Sequence, residues 1–169
     1  MLPKKIEEAI NVQINKELFS EYLYLSMATW FAAKGLNGFE NFFLVQVQEE
    51  RFHAMKFYNF VKSRGGKVLL AKIDAPQTEF NSIEEIFQLA LEHEVFITNS
   101  INELMNLASE EKDHATKSLL NWYVDEQVEE EATMQGVLDK LRLIGGKGQG
   151  MLMLDNELAQ RVFTPPATA

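Results

Sequence analysis

Four glutamates lie in the middle of four separate stretches whose helix faces are otherwise mainly apolar. They are Glu17, Glu50, Glu94 and Glu130, and His53 follows Glu50 after three residues. Residues at positions i and i+3 share one helix face, so Glu50 and His53 would point the same way. Carboxylates combined with one imidazole suit a hard or borderline metal ion. The pattern therefore predicts a metal site that is built mainly from carboxylate groups.

The charge of these side chains also favours a metal. Burying a single unpaired carboxylate costs several kcal/mol, so buried acids must either take up protons or bind a cation. The four faces carry no Lys or Arg near the glutamates, and two divalent ions would balance four negative charges. Structural zinc more often uses Cys or several His, and the chain has no Cys. Iron or manganese fits this set of ligands better.

Long helices are needed to position these residues, and the spacing of the apolar residues predicts them. We expect an all-α fold, a four-helix bundle with a short fifth helix, which forms one domain over residues 1–169. Each glutamate falls near the middle of its helix, so in a bundle all four would lie at a similar depth. The predicted helices cover about 4–33, 39–64, 82–109 and 113–143, with the short one at about 151–162 after a glycine-rich loop at 145–150.

The connection between the second and third helices is long and lacks a helical period. It runs from Lys67 to Asn81 and contains Pro76. Fully extended, such a segment reaches about 50 Å, whereas the second helix is about 39 Å long. It can therefore cross the whole length of the bundle, which makes the second and third helices parallel. Short loops make the other consecutive long helices antiparallel.

Composition bounds the function further. The formal net charge of −9 disfavours binding to nucleic acid or to an anionic membrane and attracts cations. Lys4 and Lys5 are not followed by the apolar segment of a secretion signal, and no apolar run approaches the ~18 residues of a membrane helix. We expect a cytoplasmic protein that binds neither nucleic acid nor membranes.

Two further polar residues are candidates for the site. Tyr24 comes seven residues after Glu17 on the same predicted face. It could hydrogen-bond a ligand carboxylate or supply an electron, or it could be an ordinary core tyrosine. Gln127 lies beside the face of Glu130 and could contact a second metal or a water, or lie at the polar rim.

Three acidic residues next to the proposed ligands, Glu49, Glu126 and Glu129, allow two interpretations. They could bind a third ion, or they could form a solvated helix face. His93 and His114 have no partner at ligand spacing, and we expect both on the surface. On the short fifth helix, an apolar cluster around Met153 predicts a contact between subunits.

With these residues in place, the chain resembles bacterial non-haem ferritin over nearly its whole length. The motifs that carry the resemblance are Glu17 with Tyr24, Glu49-Glu50-Arg51-Phe52-His53, Glu94, and Glu126-Gln127-Val128-Glu129-Glu130. Bacterioferritin, a haem-binding relative, has a methionine where Arg51 stands and a second Glu-x-x-His motif that this chain lacks. The resemblance therefore implies a protein without haem.

The resemblance implies roles for each motif residue. Glu17, Glu50 and His53 would bind a first iron, with Glu50 bridging to a second iron, and Tyr24 would lie beside the centre. Glu94, Gln127 and Glu130 would bind or flank the second iron, and Glu49, Glu126, Glu129 and Glu130 would form a third iron site.

The resemblance also implies an activity and an assembly. The protein would be a ferroxidase that oxidises Fe(II) with O2 or peroxide and stores Fe(III) as a mineral. Storage would take place in a hollow shell of 24 identical subunits, with the fifth helix at the four-fold axes. Two alternatives stay open: a metal-buffering bundle that does not consume O2, and a dinuclear enzyme with an organic substrate. The second needs a pocket beside the metals, a space that Phe43, Phe57 and Phe60 are expected to fill.

Overall fold

Five helices make up most of the protein in a computed structural model that describes residues 1–145 and 148–165. The described residues contain no strand, and the prediction of an all-α fold is confirmed. The bounds of the four long helices differ from the predicted ones by at most two residues. The helices are α1 Lys4–Ala32, α2 Asn37–Ser63, α3 Ile83–Glu110, α4 His114–Ile144 and α5 Gln149–Leu158.

Contacts between helices show how the long helices run relative to one another. Along α1, residues of rising number contact residues of falling number on both α2 and α3. Helix α1 is therefore antiparallel to both, and α2 and α3 are parallel, as the long connection predicts. The contacts are Leu2 N with Arg64 O at 3.3 Å and Glu21 with Arg51 at 2.8 Å for α2, and Lys16 with Ser100 at 2.6 Å and Ser20 with His93 at 2.7 Å for α3.

The segment between α2 and α3 runs along α1 and is tied to it by side chains. The Asn11 side chain donates to the Lys67 carbonyl at 3.0 Å and accepts from the Leu69 N–H at 2.8 Å. Further along α1, the Ser26 hydroxyl donates to the Gln77 carbonyl at 2.6 Å. These bonds satisfy backbone groups of a segment that forms neither a helix nor a strand. The predicted crossover is confirmed.

The apolar core consists of two clusters, one toward each end of the bundle. The first includes Phe31, Phe43 and Phe87 and extends to α5. The second includes Ile10 and Phe57 and lies near the start of α1 and the end of α2. Between them, each long helix has a stretch that contributes to neither cluster. The four glutamates of the sequence pattern lie in this gap.

Helix α5 packs against the start of α2 and caps it. The carboxylate of Asp155 accepts the backbone N–H groups of Gly38 at 2.9 Å and Phe39 at 3.0 Å, which satisfies two of the free donors at a helix start. The α5 helix ends at Leu158 rather than at the predicted residue 162. The Asn41 side chain donates hydrogen bonds to the carbonyls of Leu158 and Arg161. These bonds accompany the end of the helix at Leu158.

Two sequence predictions concern segments that the structure covers only in part. Residues 146 and 147 of the predicted glycine-rich loop, and residues 166–169 of the predicted single domain, lie outside the described residues. Among the helices that are described, none combines the length and the apolarity needed to cross a bilayer.

Gly38 and Gly136 provide a matched test of this packing. A Cβ atom on Gly38 would lie 1.6 Å from the Asp155 carbonyl oxygen, whereas one on the helical Gly136 would meet no atom within 4 Å. We expect Gly38→Ala to lower the free energy of unfolding by several kcal/mol, since backbone must move. Gly136→Ala should raise it by about 1 kcal/mol, because alanine favours the helix.

Denaturant unfolding of both variants checks this prediction. A Gly38→Ala protein as stable as the wild type would mean that α5 does not pack on α2 in this way.

Candidate metal centre

All four long helices contribute polar side chains to the gap between the two apolar clusters. Their exposure is between 1% and 4%, which confirms the prediction that the four glutamates and His53 face the interior and places Gln127 inside rather than at a polar rim. Helix α2 presents Glu50 and His53 together because they are one turn apart. The buried polar residues of the gap that the sequence singles out are Glu17 on α1, Glu50 and His53 on α2, Glu94 on α3, and Gln127 and Glu130 on α4.

Among the residues that the structure describes, two groups of side chains have the spacing of metal ligands, and His53 belongs to both. In the first group, ligand atoms of Glu17, Glu50 and His53 lie within 4.8 Å of one another. In the second, ligand atoms of His53, Glu126 and Glu130 do so. The imidazole joins the groups through its two nitrogens: Nδ1 is 3.7 Å from Glu50, and Nε2 is 3.5 Å from Glu126.

Glutamine side chains orient carboxylates of the gap. Gln13 donates to Glu17 Oε1 at 2.9 Å, and Gln46 donates to Glu130 Oε2 at 2.8 Å. The Gln13 amide is itself held by the Ser100 hydroxyl, which donates to its carbonyl oxygen at 2.5 Å. Each amide fixes one carboxylate oxygen without adding a positive charge, so the net negative charge of the site remains.

Two oxygens at the site have no partner. Among the described residues, Glu17 Oε2 and Gln46 Oε1 are buried without a hydrogen bond. An unpartnered buried acceptor is costly unless a ligand or a water satisfies it. Glu17 belongs to the same group as Glu50 and His53, so the residues present fit a cation with oxygen and nitrogen ligands.

Glu94 lies in the same gap but is held by hydrogen bonds. Tyr24 donates its hydroxyl to Glu94 Oε1, and Gln127 donates to Oε2 at 3.1 Å. The structure therefore places Tyr24 and Gln127 at the site, as the sequence suggests. Glu94 itself does not reach either group of three in this arrangement. Its metal-binding role stays a prediction.

Of the remaining sequence candidates, only Glu126 belongs to a ligand group. Glu129 is exposed on α4. Glu49 is half-buried and accepts from Arg161 Nη2 at 2.7 Å. Burial raises the pKa of Glu49 to about 7, although the charge of Arg161 lowers it. The third iron site that the resemblance implies therefore has one of its carboxylates paired with an arginine.

Burial raises the pKa of every glutamate among the proposed first- and second-iron ligands. The pKa of Glu94 rises to about 8, because burial disfavours its charged form and the charge of Glu130 adds to that effect. Burial takes the pKa of Glu50 well above its ordinary value and also raises those of Glu17 and Glu130. Without a metal, these carboxyls therefore hold protons up to a higher pH than an exposed glutamate does, and an ion that binds them would displace those protons.

The burial of His53 and the carboxylates around it shift the pKa of the imidazole in opposite directions. Burial lowers the pKa of the imidazole, but the carboxylates of Glu126 and Glu50, which lie 3.5 Å and 3.7 Å from its nitrogens, outweigh that effect and hold the pKa well above its ordinary value. The backbone at His53 is fixed as well, since the Tyr123 hydroxyl donates to its carbonyl at 2.7 Å. A cation that binds both carboxylates would release the imidazole to act as a ligand.

One sequence prediction near the site is wrong. His93 is not a surface residue: its side chain is half-buried between α1 and α3, with Nε2 2.7 Å from the Ser20 hydroxyl. Burial lowers its pKa to about 4. Its ring packs on Phe19 and Tyr24, with ring centroids 5.8 Å and 6.0 Å away. His114 is exposed, as predicted.

Three residues that matter here escaped the sequence reasoning. Gln13 and Gln46 each lie four residues before a proposed ligand on the same helix face, so the i, i+4 rule could have found them. Arg161 is more than a hundred residues from Glu49 along the chain. No local pattern connects the two.

Comparisons with known proteins show which family the chain resembles. A family model described as a ferritin-like domain matches residues 7–144. Bacterial non-heme ferritins from Staphylococcus saprophyticus and Staphylococcus aureus are 41% and 39% identical, each over 96% of this chain and 98% of theirs. An engineered closed form of Archaeoglobus fulgidus ferritin is 49% identical with a TM-score of 0.95, covering 97% of this chain and 100% of that one. The open-pore ferritin of the same archaeon is 49% identical with a TM-score of 0.93, over 95% and 98%.

The raised pKa values predict how the stability of the metal-free protein depends on pH. The pKa of Glu94 is about 8 when folded, against an ordinary value of 4.5, so the folded state binds more protons than the unfolded state. This contribution is complete below pH 4.5 and is lost as the pH rises through 8. We expect the melting temperature of the metal-free protein to fall between about pH 5 and about pH 9.

Calorimetry with and without Zn²⁺ checks this. Zn²⁺ should restore stability at the alkaline end, and Glu94→Gln, which is neutral at every pH, should reduce the decline. A melting temperature that is constant or rises over this range would contradict the prediction.

Proposed function

The chain belongs to the ferritin family, and on that premise we propose that it oxidises Fe(II) at the buried centre and stores the Fe(III) product. The observation that carries the proposal is the convergence of Glu17, Glu50 and His53 on a buried space where one glutamate oxygen has no partner. Iron is the substrate of this reaction and its product is the stored cargo.

Two ions are assigned to the centre. Glu17, Glu50 and His53 bind the first, and Glu50 bridges to the second. Glu94 and Glu130 bind the second ion, flanked by Gln127. For this, Glu94 exchanges one of its two present hydrogen bonds, from Tyr24 and from Gln127, for the metal, and the other bond keeps its carboxylate oriented. Four glutamates then balance two divalent ions, and the protons of the metal-free site are released.

The pairing of the ions determines the redox chemistry. Two Fe(II) ions each give up one electron, and O2 takes both electrons with two protons to form H2O2. With peroxide as the oxidant, the two electrons and two protons give two molecules of water. The protein supplies ligand geometry and a water-poor space, since Phe43 and Phe57 on either side are fully buried.

A cleft on the surface between α3 and α4 provides a route for Fe(II). Its volume is about 290 Å³, and its wall includes Thr98, Gln127 and Glu131. Gln127 is buried and donates to Glu94. Its side chain therefore lies between the cleft and the metal centre. The acidic Glu131 at the cleft favours a cation over an anion.

Storage requires a hollow assembly, and we assign to this chain a shell of 24 identical subunits. The solved ferritins of Archaeoglobus fulgidus include an open-pore form and an engineered closed form, which suits a shell. On α5, Leu154 packs into the core of the subunit, whereas Leu152 and Met153 are 63% and 68% exposed. These two apolar side chains are suited to a subunit contact. A cytoplasmic location belongs to the same proposal.

Glu50→Ala tests the oxidation site. We expect the initial rate of O2 uptake with Fe(II) to fall by about 100-fold or more, since even groups that only orient metal ligands contribute about 10- to 100-fold. The metal-free variant should melt at or above the wild-type temperature, because a buried acid has been removed. Glu103→Ala, which removes an exposed glutamate on α3, is the matched control.

An oxygen electrode and circular dichroism make these two measurements. Wild-type rates in Glu50→Ala would refute the assignment of the site. A wild-type protein that binds Fe(II) without consuming O2 or peroxide would instead be the metal buffer.

Light scattering tests the assembly. A 24-subunit shell of 19.4-kDa chains has a mass of about 470 kDa. Replacing Leu152 and Met153 by Ser should shift the protein toward smaller species, because their apolar surface would no longer favour contact. A wild-type monomer in solution would refute the storage proposal.

A further inference from the structure

The segment after α5 carries a positive charge to the edge of the metal centre. Arg161 Nη2 donates to Glu49 Oε2 at 2.7 Å, with only 24% and 20% of the two side chains exposed. Glu49 immediately precedes Glu50 and lies one turn before His53 on α2. The pair is therefore a largely desolvated, charge-assisted contact, of the kind that is stronger than a pair on the surface.

Other contacts fix Arg161 in this position. Its guanidinium lies over the ring of Phe42, 4.5 Å from the centroid, and its Nη1 donates to the Phe42 carbonyl at 3.4 Å. The Asn41 side chain donates to the Arg161 carbonyl at 2.9 Å. Two residues later, Phe163 packs on Phe52, with ring centroids 6.3 Å apart. The arginine is therefore held by its backbone, by an aromatic ring and by its charge.

Arg161 lies beside the second ligand group, which consists of His53, Glu126 and Glu130. Glu49 is on the same face of α2 as His53, and Nε2 of His53 lies 3.5 Å from Glu126. Glu49 is therefore the carboxylate of α2 that would serve a third ion at Glu126 and Glu130, and Arg161 already binds it.

We propose that Arg161 is a built-in cation that competes with a metal ion for Glu49 and so limits the binding of a third ion at Glu49, Glu126 and Glu130. This inference rests on the proposed function, since it concerns an ion beyond the two that are oxidised. An arginine does not lose its proton in a protein, so an incoming ion must displace the guanidinium rather than deprotonate it. Two ions bind readily, and a third binds only as the segment after α5 releases Glu49.

The test is the number and affinity of Zn²⁺ ions bound per subunit, measured by calorimetric titration at constant pH without Fe or O2. In Arg161→Gln, we expect a third Zn²⁺ to bind at least about tenfold more tightly than in the wild type. Arg161→Lys keeps the charge and should stay close to the wild type. Arg142→Gln removes an exposed arginine that pairs with Glu84, and it serves as the charge-matched control.

Glu49→Gln combined with Arg161→Gln identifies the ligand. The double variant should not show the tighter binding of a third Zn²⁺ that is expected for Arg161→Gln, because the amide that replaces the Glu49 carboxylate is a poor ligand for the ion. Unchanged third-ion affinity in Arg161→Gln would overturn the proposal, as would tight binding of three ions by the wild type or retention of the tighter binding in the double variant. Since no oxidation is measured, a failure of the ferroxidase assignment would show separately, in the oxygen-electrode experiment.

Discussion

The burial of four glutamates at one depth of the bundle is the constraint on which the rest of the structure depends. Carboxylates that are buried among apolar side chains must be neutralised, by protons or by a cation. The core adapts to this by dividing into two apolar clusters with a polar gap between them. Each cluster holds the four helices together on one side of the gap, so the gap itself need not contribute to stability.

The donors around these glutamates differ in a way that matters for metal binding. Gln13, Gln46 and Gln127 are neutral, so they orient carboxylates and leave the full negative charge for an ion. Arg161 orients Glu49 but also neutralises it. Two consecutive glutamates therefore differ: Glu50 is free to bind a metal ion, whereas Glu49 is already paired with the cation of Arg161. Burial alone would not distinguish these carboxylates, because Glu49 is also largely removed from solvent.

Most of the fold and the inner part of the site could be predicted from the sequence, because both follow from helical periodicity. The period places Glu17, Glu50, Glu94 and Glu130 on buried faces, and the length of the 67–81 segment predicts the crossover. Periodicity says nothing of which residue meets another from a different helix. The partner of Glu49 and the end of α5 could not be predicted for that reason, and the burial of His93 depends on how α1 packs on α3.

Helix α2 receives two contacts that the sequence does not predict, one from Asp155 and one from the segment after α5. Asp155 caps the start of this helix, and the segment after α5 contacts it at Asn41, Phe42 and Glu49. The same helix carries Glu50 and His53 into the gap. Helix α5 is the element that the proposed shell would use for contacts between subunits, so the start of α2 joins those contacts to the metal centre. Helix α5 is therefore connected to the proposed ligands through a single helix, α2.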